Sequence, residues 1–188
     1  MNKLPTKPIT VLLTGGTGFL GSNILTELLS NSFKVVLLKR TTSNTFRIKN
    51  HLNKITCYDL DVTNVKEVFA NHKIDVILHC ATDYGRKNAD PMQIIDANLI
   101  LPLKLIELGK QNGVRCFINT DTILDKRVSH YSLSKKQFND WFRGYQSSMC
   151  CINVALEHFF GPNDDKTKFV SRIISQLLDN EEKIDLTP

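Results

Sequence analysis

The chain has 188 residues, 41% of them hydrophobic, which is enough for one folded domain with a substantial core. No apolar run is long enough to cross a bilayer, and no signal-peptide cleavage pattern follows the first apolar stretch, so we expect a soluble, cytoplasmic protein without membrane insertion. The net charge of +5 collects in residues 28–58, which lack acidic side chains, aromatic interleaving and a basic helix; no nucleic-acid partner is expected.

Apolar runs of strand length alternate with segments of helical period along the chain. The six predicted strands are residues 9–13, 34–38, 55–58, 75–80, 115–119 and 150–156. The predicted helices are residues 19–30, 64–72, 91–113 and 131–145, followed by an amphipathic segment at 167–178. Strands that alternate with helices favour an α/β fold in which a parallel sheet is covered by helices on both faces.

The long predicted helix of residues 91–113 contains its own start and stop signals. Pro91 suits a first helical turn, and Gly113 suits the position just past the C-terminal end. Pro102 lies inside the helix, where it lacks an amide proton, so we expect a bend or a broken hydrogen bond. No linker, repeat or low-complexity segment interrupts the pattern before about residue 162.

The cysteines argue against a metal site. They are odd in number, lie mostly inside apolar runs and show neither CxxC nor histidine spacing suited to a metal. We therefore expect buried, reduced thiols and no metal. The five residues are Cys57, Cys80, Cys116, Cys150 and Cys151.

The stretch TGGTGFLG follows the first strand and opens the first helix. Its glycines Gly15, Gly18 and Gly21 form GxxGxxG at a junction where the amides and dipole of the helix N-terminus attract an anion. The first glycine permits a tight turn, the second lets a pyrophosphate approach the backbone, and the third lets helix and strand pack closely. The pattern predicts a Rossmann-type doubly wound sheet that binds a dinucleotide, although a simple loop has similar glycines.

The end of the second strand indicates which dinucleotide is bound. An acidic residue about twenty positions beyond the glycines usually holds the ribose hydroxyls of NAD, but Lys39 and Arg40 occur here instead. Two cations suit a 2′-phosphate, so NADP(H) is the preferred cofactor and NAD(H) the alternative. The other reading is that both side chains point to solvent.

The stretch YSLSK places Tyr131 and Lys135 four residues apart on one face of a helix. A tyrosine has a pKa near 10, so proton transfer near neutral pH requires the phenolate to be favoured by about 4 kcal/mol. A nearby lysine and an oxidised nicotinamide are able to supply that free energy. The alternative is that both residues lie on the solvent-facing side of an amphipathic helix. Their position after the fifth strand of a chain with the glycine motif favours the functional interpretation.

Seven motifs occur in the order found in one family. They are TGGTGFLG, DLDV, ILHCAT, DAN, FINTD, YSLSK and LEHFFGP. Together they resemble the extended short-chain dehydrogenase/reductases, the NAD(P)-dependent epimerase/dehydratase group, over almost the whole chain. The stretches ATDYGRKN, DANLILPLKLIELG, FINTDT and LEHFFGPNDDKTKF are most similar to the CDP-abequose and CDP-paratose synthases, which reduce a keto-dideoxyhexose carried on CDP.

The resemblance implies a role for each matching residue. Tyr131 is expected to protonate the sugar carbonyl, Lys135 to bind the nicotinamide ribose and lower the tyrosine pKa, and Thr120 to hydrogen-bond the same carbonyl, with Thr122 as the competing hydroxyl. The remaining cofactor contacts expected are Gly15, Thr17, Gly18, Phe19, Leu20, Gly21, Lys39, Arg40, Asp61, Val62, Cys80, Ala81, Thr82, Asn98, Leu156 and His158.

Several of these residues have ordinary structural alternatives. Asp61 suits the N-cap of the following helix, His79 and His158 suit structural imidazoles, and Asn98 suits a residue that pins the long helix. Ala155 stands where many relatives carry arginine. Thr120 and Tyr131 are separated by only 11 positions, a shorter connection than is usual in the group, so Thr120 is held less firmly than Tyr131.

The expected function is NADPH-dependent reduction of a nucleotide-linked keto-deoxysugar, with CDP as the carrier, for O-antigen and lipopolysaccharide synthesis. The alternatives are a sugar-nucleotide epimerase or dehydratase with recycled NAD(P), and a non-catalytic dinucleotide-binding protein. A dehydratase usually needs an acidic pair beside its threonine, whereas Asp121 is followed by Thr122. The family also implies a homodimer formed through the long helix and the Tyr131 helix.

The resemblance further implies a division of the chain. Residues 1–161 are expected to form the dinucleotide-binding domain, and residues 162–188 the start of a substrate-binding lobe whose larger part is missing. We therefore expect this chain to bind NADPH while reducing CDP-keto-sugars poorly. Six apolar residues of the last amphipathic segment are expected to find little to pack on: Phe169, Val170, Ile173, Ile174, Leu177 and Leu178.

Overall fold

The computed structural model describes residues 7–86 and 90–184. The strands are β1 (Thr10–Thr14), β2 (Lys34–Lys39), β3 (Thr56–Asp59), β4 (Val76–His79), β5 (Cys116–Thr122) and β6 (Cys150–Leu156). The α-helices are α1 (Phe19–Ser30), α2 (Val65–Asn71), α3 (Pro91–Ile95), α4 (Leu101–Gln111), α5 (His130–Arg143) and α6 (Phe169–Leu178). A 3-10 segment spans Phe46–Lys54, and a π-helical segment spans Asp96–Ile100.

The six strands form one parallel sheet in the order β3-β2-β1-β4-β5-β6. The order reverses between β1 and β4, which is the switch point where ligands bind in open α/β sheets. The Rossmann-type doubly wound sheet expected from the sequence is therefore confirmed. All six predicted strands and the helices between them are present, with boundaries that differ from the predicted ones by at most three residues.

Each central strand contributes side chains to both faces of the sheet. On β1, Leu12 belongs to the larger apolar cluster with Ile77 and Phe117, whereas its neighbour Leu13 belongs to the smaller one with Leu25. Successive side chains of a strand point to opposite faces, so a strand covered by helices on both sides needs consecutive apolar residues. This requirement explains why VLL and VVLL lack the alternation of a half-exposed strand.

Two local features were not predicted from the sequence: the 3-10 segment and the residue that caps α2. The basic stretch of residues 46–54 has few apolar residues, but Ile48 anchors it by complete burial in the smaller cluster. Helix α2 is capped by Asn64, whose side chain accepts a hydrogen bond from the Lys66 amide. The alternative in which Asp61 caps this helix is therefore wrong.

The long helix is continuous but changes its geometry. Pro91 starts α3 behind the Asp90 cap, the π-helical segment follows, and α4 resumes with Pro102 in its first turn. The wider π turn stands immediately before the residue that has no amide proton, in accord with the expected disturbance at Pro102. Gly113 ends the helix with a φ of 70°, and the Val114 amide donates back to the Gly109 carbonyl.

The chain divides into two compact units between Leu156 and Glu157. The first unit contains the whole sheet and helices α1 to α5. The second contains α6, preceded by a turn in which Lys168 forms an ion pair of 3.0 Å with Asp164. Four apolar residues of α6 are exposed: Phe169, Ile174, Leu177 and Leu178.

Candidate active site

The glycine turn between β1 and α1 is shaped by close backbone contacts. Gly15 has a φ of 70°, and a Cβ atom built on it would lie 2.5 Å from the Ala81 nitrogen. A Cβ atom on Gly21 would lie 2.2 Å from the Gly15 carbonyl oxygen. A side chain on Gly15 would force the turn away from the end of β4, and one on Gly21 would force α1 away from the turn, so glycine is required at both.

Gly18 has a different reason to be glycine. A Cβ atom there would meet only the Gly15 carbonyl oxygen, at 3.3 Å, and the residue is exposed. Gly18 caps α1 without a side-chain hydrogen bond, and the first turn of that helix has no acidic residue. The positive end of the helix is therefore open in front of Gly18, which fits the close approach of a phosphate group.

Behind the glycine turn, Thr14 joins the ends of β1 and β4. Its hydroxyl lies 2.8 Å from Nδ1 of His79 and accepts a hydrogen bond from the Ala81 amide. Complete burial lowers the pKa of His79 well below its usual value, with a smaller contribution from the charge of Lys135. His79 is therefore a neutral imidazole in the core.

Tyr131 lies in the first turn of α5, at the carboxyl edge of the sheet. The Thr122 side chain lies near its phenol, and the Tyr131 ring centroid is 5.0 Å from that of Tyr84. Burial raises the pKa of Tyr131 to about 12, with further increases from Tyr84 and Asp121, whereas Thr122 lowers it. Because burial is the largest cause of the raised pKa, Tyr131 needs a positive charge nearby before its phenolate forms near neutral pH.

Lys135 lies one helical turn further along α5 and is 2% exposed. Within the described part of the chain, its Nζ atom has no hydrogen-bond partner. Burial lowers the pKa of Lys135 to about 8, and the charge of Asp121 opposes that change. A buried amine without a partner is costly, so this position fits an amine whose hydrogen bonds are completed by ribose hydroxyls of a bound dinucleotide.

The two candidate threonines on β5 differ in what their hydroxyls contact. Thr120 donates to the His79 carbonyl oxygen at 3.0 Å, which directs its hydroxyl toward β4. The Thr122 side chain lies near the Tyr131 phenol and lowers its pKa, and its hydroxyl accepts the Leu124 amide at 3.2 Å. Thr120 therefore stays the predicted catalytic hydroxyl, with Thr122 as the competing one.

Asp121 stands between these threonines and is buried. Its carboxylate accepts hydrogen bonds from Lys136, Asn153 and the Thr122 amide. Neither Asp121 nor Lys136 was assigned a role from the sequence, and Tyr84 was also missed. These groups meet only through the register of β5 on β6 and the start of α5, so no local sequence pattern predicts their contact.

Asn98 is in the π-helical segment and is fully buried. Its carbonyl oxygen accepts from the Thr82 hydroxyl and the Asp83 amide, and its amide donates to the Asp83 carbonyl and the Ser134 hydroxyl. All of these bonds are made within the protein, so Asn98 connects the loop after β4 to α5. This geometry fits the pinning alternative better than a direct contact with the cofactor.

The two basic residues at the end of β2, Lys39 and Arg40, differ in burial and in the partners of their charges. Lys39 forms an ion pair with Asp59, and its side chain is 16% exposed. Arg40 is exposed, and its charge helps to lower the pKa of Asp61, although the main cause is the hydrogen bond from Thr41. Lys39 is therefore already neutralised, which leaves Arg40 as the better candidate for a 2′-phosphate.

Asp61 and Val62 were predicted to contact the adenine end of the dinucleotide, and Leu156 and His158 the nicotinamide end. Asp61 accepts the Thr41 amide at 3.0 Å and joins the loops after β2 and β3, while the Val62 side chain beside it is 79% exposed. Leu156 ends β6 opposite Thr122. His158 belongs to the second unit, so its predicted contact with the nicotinamide stays a prediction.

Two of the predicted cofactor contacts, Cys80 and Thr82, lie just after β4. Burial raises the pKa of the Cys80 thiol to about 12, so this thiol stays protonated and is suited to packing rather than to nucleophilic chemistry. Thr82 is held by Asn98. Lys87 and Asn88, which end the stretch ATDYGRKN, lie outside the described residues.

Residues 7–86 and 90–184 contain no group of three or more His, Cys, Asp or Glu side chains that could hold a metal ion. Over the same residues, every helix is too short or too polar to span a bilayer.

A doubly wound sheet with an open helix N-terminus at its glycine turn is the architecture of a dinucleotide-binding protein. The model of the NAD dependent epimerase/dehydratase family matches residues 11–187. The chain belongs to this family.

Similar sequences and structures agree with this family. The chain is 30% identical to a CDP-abequose synthase of Salmonella muenchen, over 94% of this chain and 62% of the relative. It is 31% identical to that of Salmonella typhimurium, over 89% of this chain and 58% of the relative. The chain therefore spans about three fifths of the length of these relatives.

Solved structures show the same fold. The UDP-glucose 4-epimerase of Thermotoga maritima, solved with UDP-glucose, superposes with a TM-score of 0.79 at 19% identity, over 93% of this chain and 64% of that structure. The UDP-glucuronic acid 4-epimerase of Bacillus cereus, solved with NAD, has a TM-score of 0.79 at 21% identity, over 92% of this chain and 63% of that structure.

Proposed function

We propose that this site belongs to an NADPH-dependent reductase that acts on a keto-deoxysugar carried on CDP, for surface polysaccharide synthesis. The observation that carries the proposal is the Tyr131 phenol beside Thr122, one helical turn from the buried Lys135 amine, which has no hydrogen-bond partner among the described residues. This arrangement combines a proton donor, a second hydroxyl for the carbonyl oxygen and a buried cation. The similarity to CDP-abequose synthases supports the sugar and nucleotide classes.

When bound, the dinucleotide would supply the hydride that reduces the carbonyl carbon. Tyr131 donates its proton to the carbonyl oxygen as negative charge develops there, and Thr120, or the competing Thr122, donates a hydrogen bond to the same oxygen. Lys135 contributes positive charge that favours the phenolate left on Tyr131. The pKa of Tyr131, about 12, and that of Lys135, about 8, are both displaced by burial, and bringing opposite charges together moves each back toward its ionised form.

The residues that would hold the dinucleotide lie in five places along the chain: the turn before α1, the ends of β2, β3 and β4, and α5. The turn before α1 takes the pyrophosphate, Arg40 takes a 2′-phosphate, and Lys135 takes the nicotinamide ribose. Asp61 and Val62 lie at the adenine end, and Cys80 and Ala81 line the cofactor through their backbone. The residues of the glycine turn are Gly15, Thr17, Gly18, Phe19, Leu20 and Gly21.

Reduction is preferred to dehydration because of Asp121. A dehydratase needs a carboxyl group that is able to exchange a proton with the sugar, but both carboxylate oxygens of Asp121 accept hydrogen bonds within the protein. Epimerisation with a retained dinucleotide stays an alternative, because it uses the same tyrosine and lysine. Stoichiometric consumption of NADPH separates reduction from epimerisation.

The experiment is an absorbance assay for NADPH oxidation with a CDP-linked keto-dideoxyhexose, beside calorimetry for NADPH binding. We expect sugar-dependent oxidation that Tyr131→Phe abolishes, while the affinity for NADPH is retained. Isomerisation of the sugar nucleotide without net oxidation of NADPH would replace reduction by epimerisation. Binding of NADPH without any turnover of a sugar nucleotide would favour a non-catalytic dinucleotide-binding protein.

A further inference from the structure

Asp121 has no chemical role in the proposed reduction, yet it is buried next to the residues that do. Its side chain is 1% exposed at the carboxyl end of β5, and its charge acts on both Tyr131 and Lys135. A buried carboxylate is costly unless it is paired and hydrogen-bonded. The contacts that stabilise Asp121 therefore indicate what it does.

Every oxygen of the Asp121 side chain is engaged. Oδ1 accepts the Thr122 amide at 2.7 Å. Oδ2 accepts Nζ of Lys136 at 3.2 Å and Nδ2 of Asn153 at 2.8 Å. Asn153 is itself oriented by a 2.7 Å hydrogen bond from Asn119. These donors come from β5, α5 and β6, so the carboxylate is held from three elements.

Lys136 connects the carboxylate to the next backbone carbonyl. Its Nζ atom donates to the Thr122 carbonyl oxygen at 2.5 Å as well as to Asp121. Thr122 is thus held at its amide by Asp121 and at its carbonyl by Lys136. Holding the Thr122 backbone also holds its side chain, which lies near Tyr131 and accepts the Leu124 amide at 3.2 Å.

The same two residues set part of the electrostatic field at Tyr131. A negative charge near a phenol disfavours the phenolate, and the Asp121 charge raises the pKa of Tyr131 in this way. The other groups that face Tyr131 are Tyr84 from the loop after β4 and Thr122 from β5, with Lys135 on the same helix. Lys136 supplies the opposite charge at Asp121, so the network holds Thr122 without adding a full negative charge to the site.

We propose that Asp121 and Lys136 form a charge-compensated clamp, with both residues acting as positioning residues that hold Thr122 against Tyr131 and keep the Asp121 carboxylate out of proton transfer. This inference rests on the proposed role of Tyr131 as the proton donor. The two adjacent lysines of α5 would then have different functions: Lys135 acts on Tyr131 and the dinucleotide, and Lys136 positions Thr122.

The test measures the ionisation of residue 131 directly, without turnover. A fluorinated tyrosine is placed at position 131 of the whole 188-residue chain, because its lower intrinsic pKa brings the titration into a range where the protein stays folded. Fluorine NMR then follows the titration in the parent chain and in Asp121→Asn, Lys136→Met and the double variant. The clamp predicts a pKa at position 131 that falls by about one unit in Asp121→Asn and rises in Lys136→Met.

The double variant and a matched control complete the experiment. Removing both charges is expected to bring the pKa back toward the parent value. Asp125→Asn removes a similar carboxylate from an exposed pair with Arg127, a few residues further along the chain, and is expected to leave the pKa unchanged. Circular dichroism confirms that each variant is folded before it is titrated.

An unchanged or raised pKa in folded Asp121→Asn would overturn the clamp. So would an equal shift in Asp125→Asn, because the effect would then be a general one of net charge. If Lys136→Met does not fold, the comparison of Asp121→Asn with Asp125→Asn decides by itself. Loss of the proposed reductase function would appear instead as normal turnover in Tyr131→Phe, so the two failures are distinguishable.

Discussion

The buried residues around Tyr131 and Lys135, here called the corner, and the exposed residues around Arg40, here called the rim, differ in how far their charges are shielded by water. At the corner, Lys135 is 2% exposed and its pKa is lowered to about 8 by burial, so each charge there depends strongly on its neighbours. At the rim, Arg40 is exposed to water, where salt screens interactions over about 10 Å. Substitutions at the corner should therefore have larger effects and a stronger dependence on pH, and those at the rim a stronger dependence on salt.

The largest effect is expected from Tyr131→Phe, which removes the proton donor but leaves the ring. Turnover should fall by at least about a hundredfold, the scale of lost general acid catalysis, with little change in NADPH affinity. Steady-state kinetics and calorimetry check the two halves. Tyr84→Phe is the matched control, since it removes a neighbouring phenol. Equal losses in both variants would contradict the special role of Tyr131.

The next effect concerns stability. Burial lowers the pKa of Lys135 to about 8 in the folded state, below its value near 10.5 in the unfolded chain. The unfolded chain therefore binds the proton more tightly, and below pH 8 the charged amine destabilises the fold by on the order of 3 kcal/mol. As pH rises from 8 to 10.5, this destabilisation disappears.

Lys135→Met should accordingly unfold at higher urea concentration than the parent chain at pH 7, because methionine fills a similar volume without a charge. The advantage of the variant should shrink to about half by pH 9.5. Urea unfolding at the two pH values measures it. An advantage that is independent of pH would mean that the amine is not buried in its charged form.

A smaller effect is expected from the threonines of β5. Thr120→Val should reduce turnover by about tenfold, the value of one hydrogen bond near the reacting oxygen. It should also lower stability, by about 1–2 kcal/mol, because the His79 carbonyl then loses its donor. Kinetics and thermal unfolding of this variant and of Thr122→Val give the comparison. A larger activity loss in Thr122→Val would move the catalytic hydroxyl to Thr122.

The smallest effects belong to the rim. NADPH should bind at least about tenfold more tightly than NADH, which corresponds to about 1.4 kcal/mol. Arg40→Ala should remove most of this difference, whereas Lys39→Ala should change it less, because Lys39 is paired with Asp59. Calorimetry at low and high salt measures both, and the preference should weaken with salt. A preference for NADH in the parent chain would refute the 2′-phosphate assignment.

The sequence determined the fold and the ends of the site because these depend on local patterns. Consecutive apolar residues such as VLL require a strand covered on both faces, and GxxGxxG requires a close turn at a helix start. The spacing of Tyr131 and Lys135 puts both on one helical face whatever the rest of the chain does. These features were read without knowledge of any distant contact.

Tertiary structure decided which polar groups meet. The pairing of Lys39 with Asp59, the hydrogen bond from Thr120 to the His79 carbonyl, and the engagement of Asp121 by Asn153 and Lys136 all join residues that lie more than ten positions apart or depend on strand register. A shift of one residue in a strand turns every side chain to the other face, so such contacts follow from the assembled sheet. Sequence spacing alone cannot determine them, because the charge and hydrogen-bond partners of a buried group are supplied by other elements.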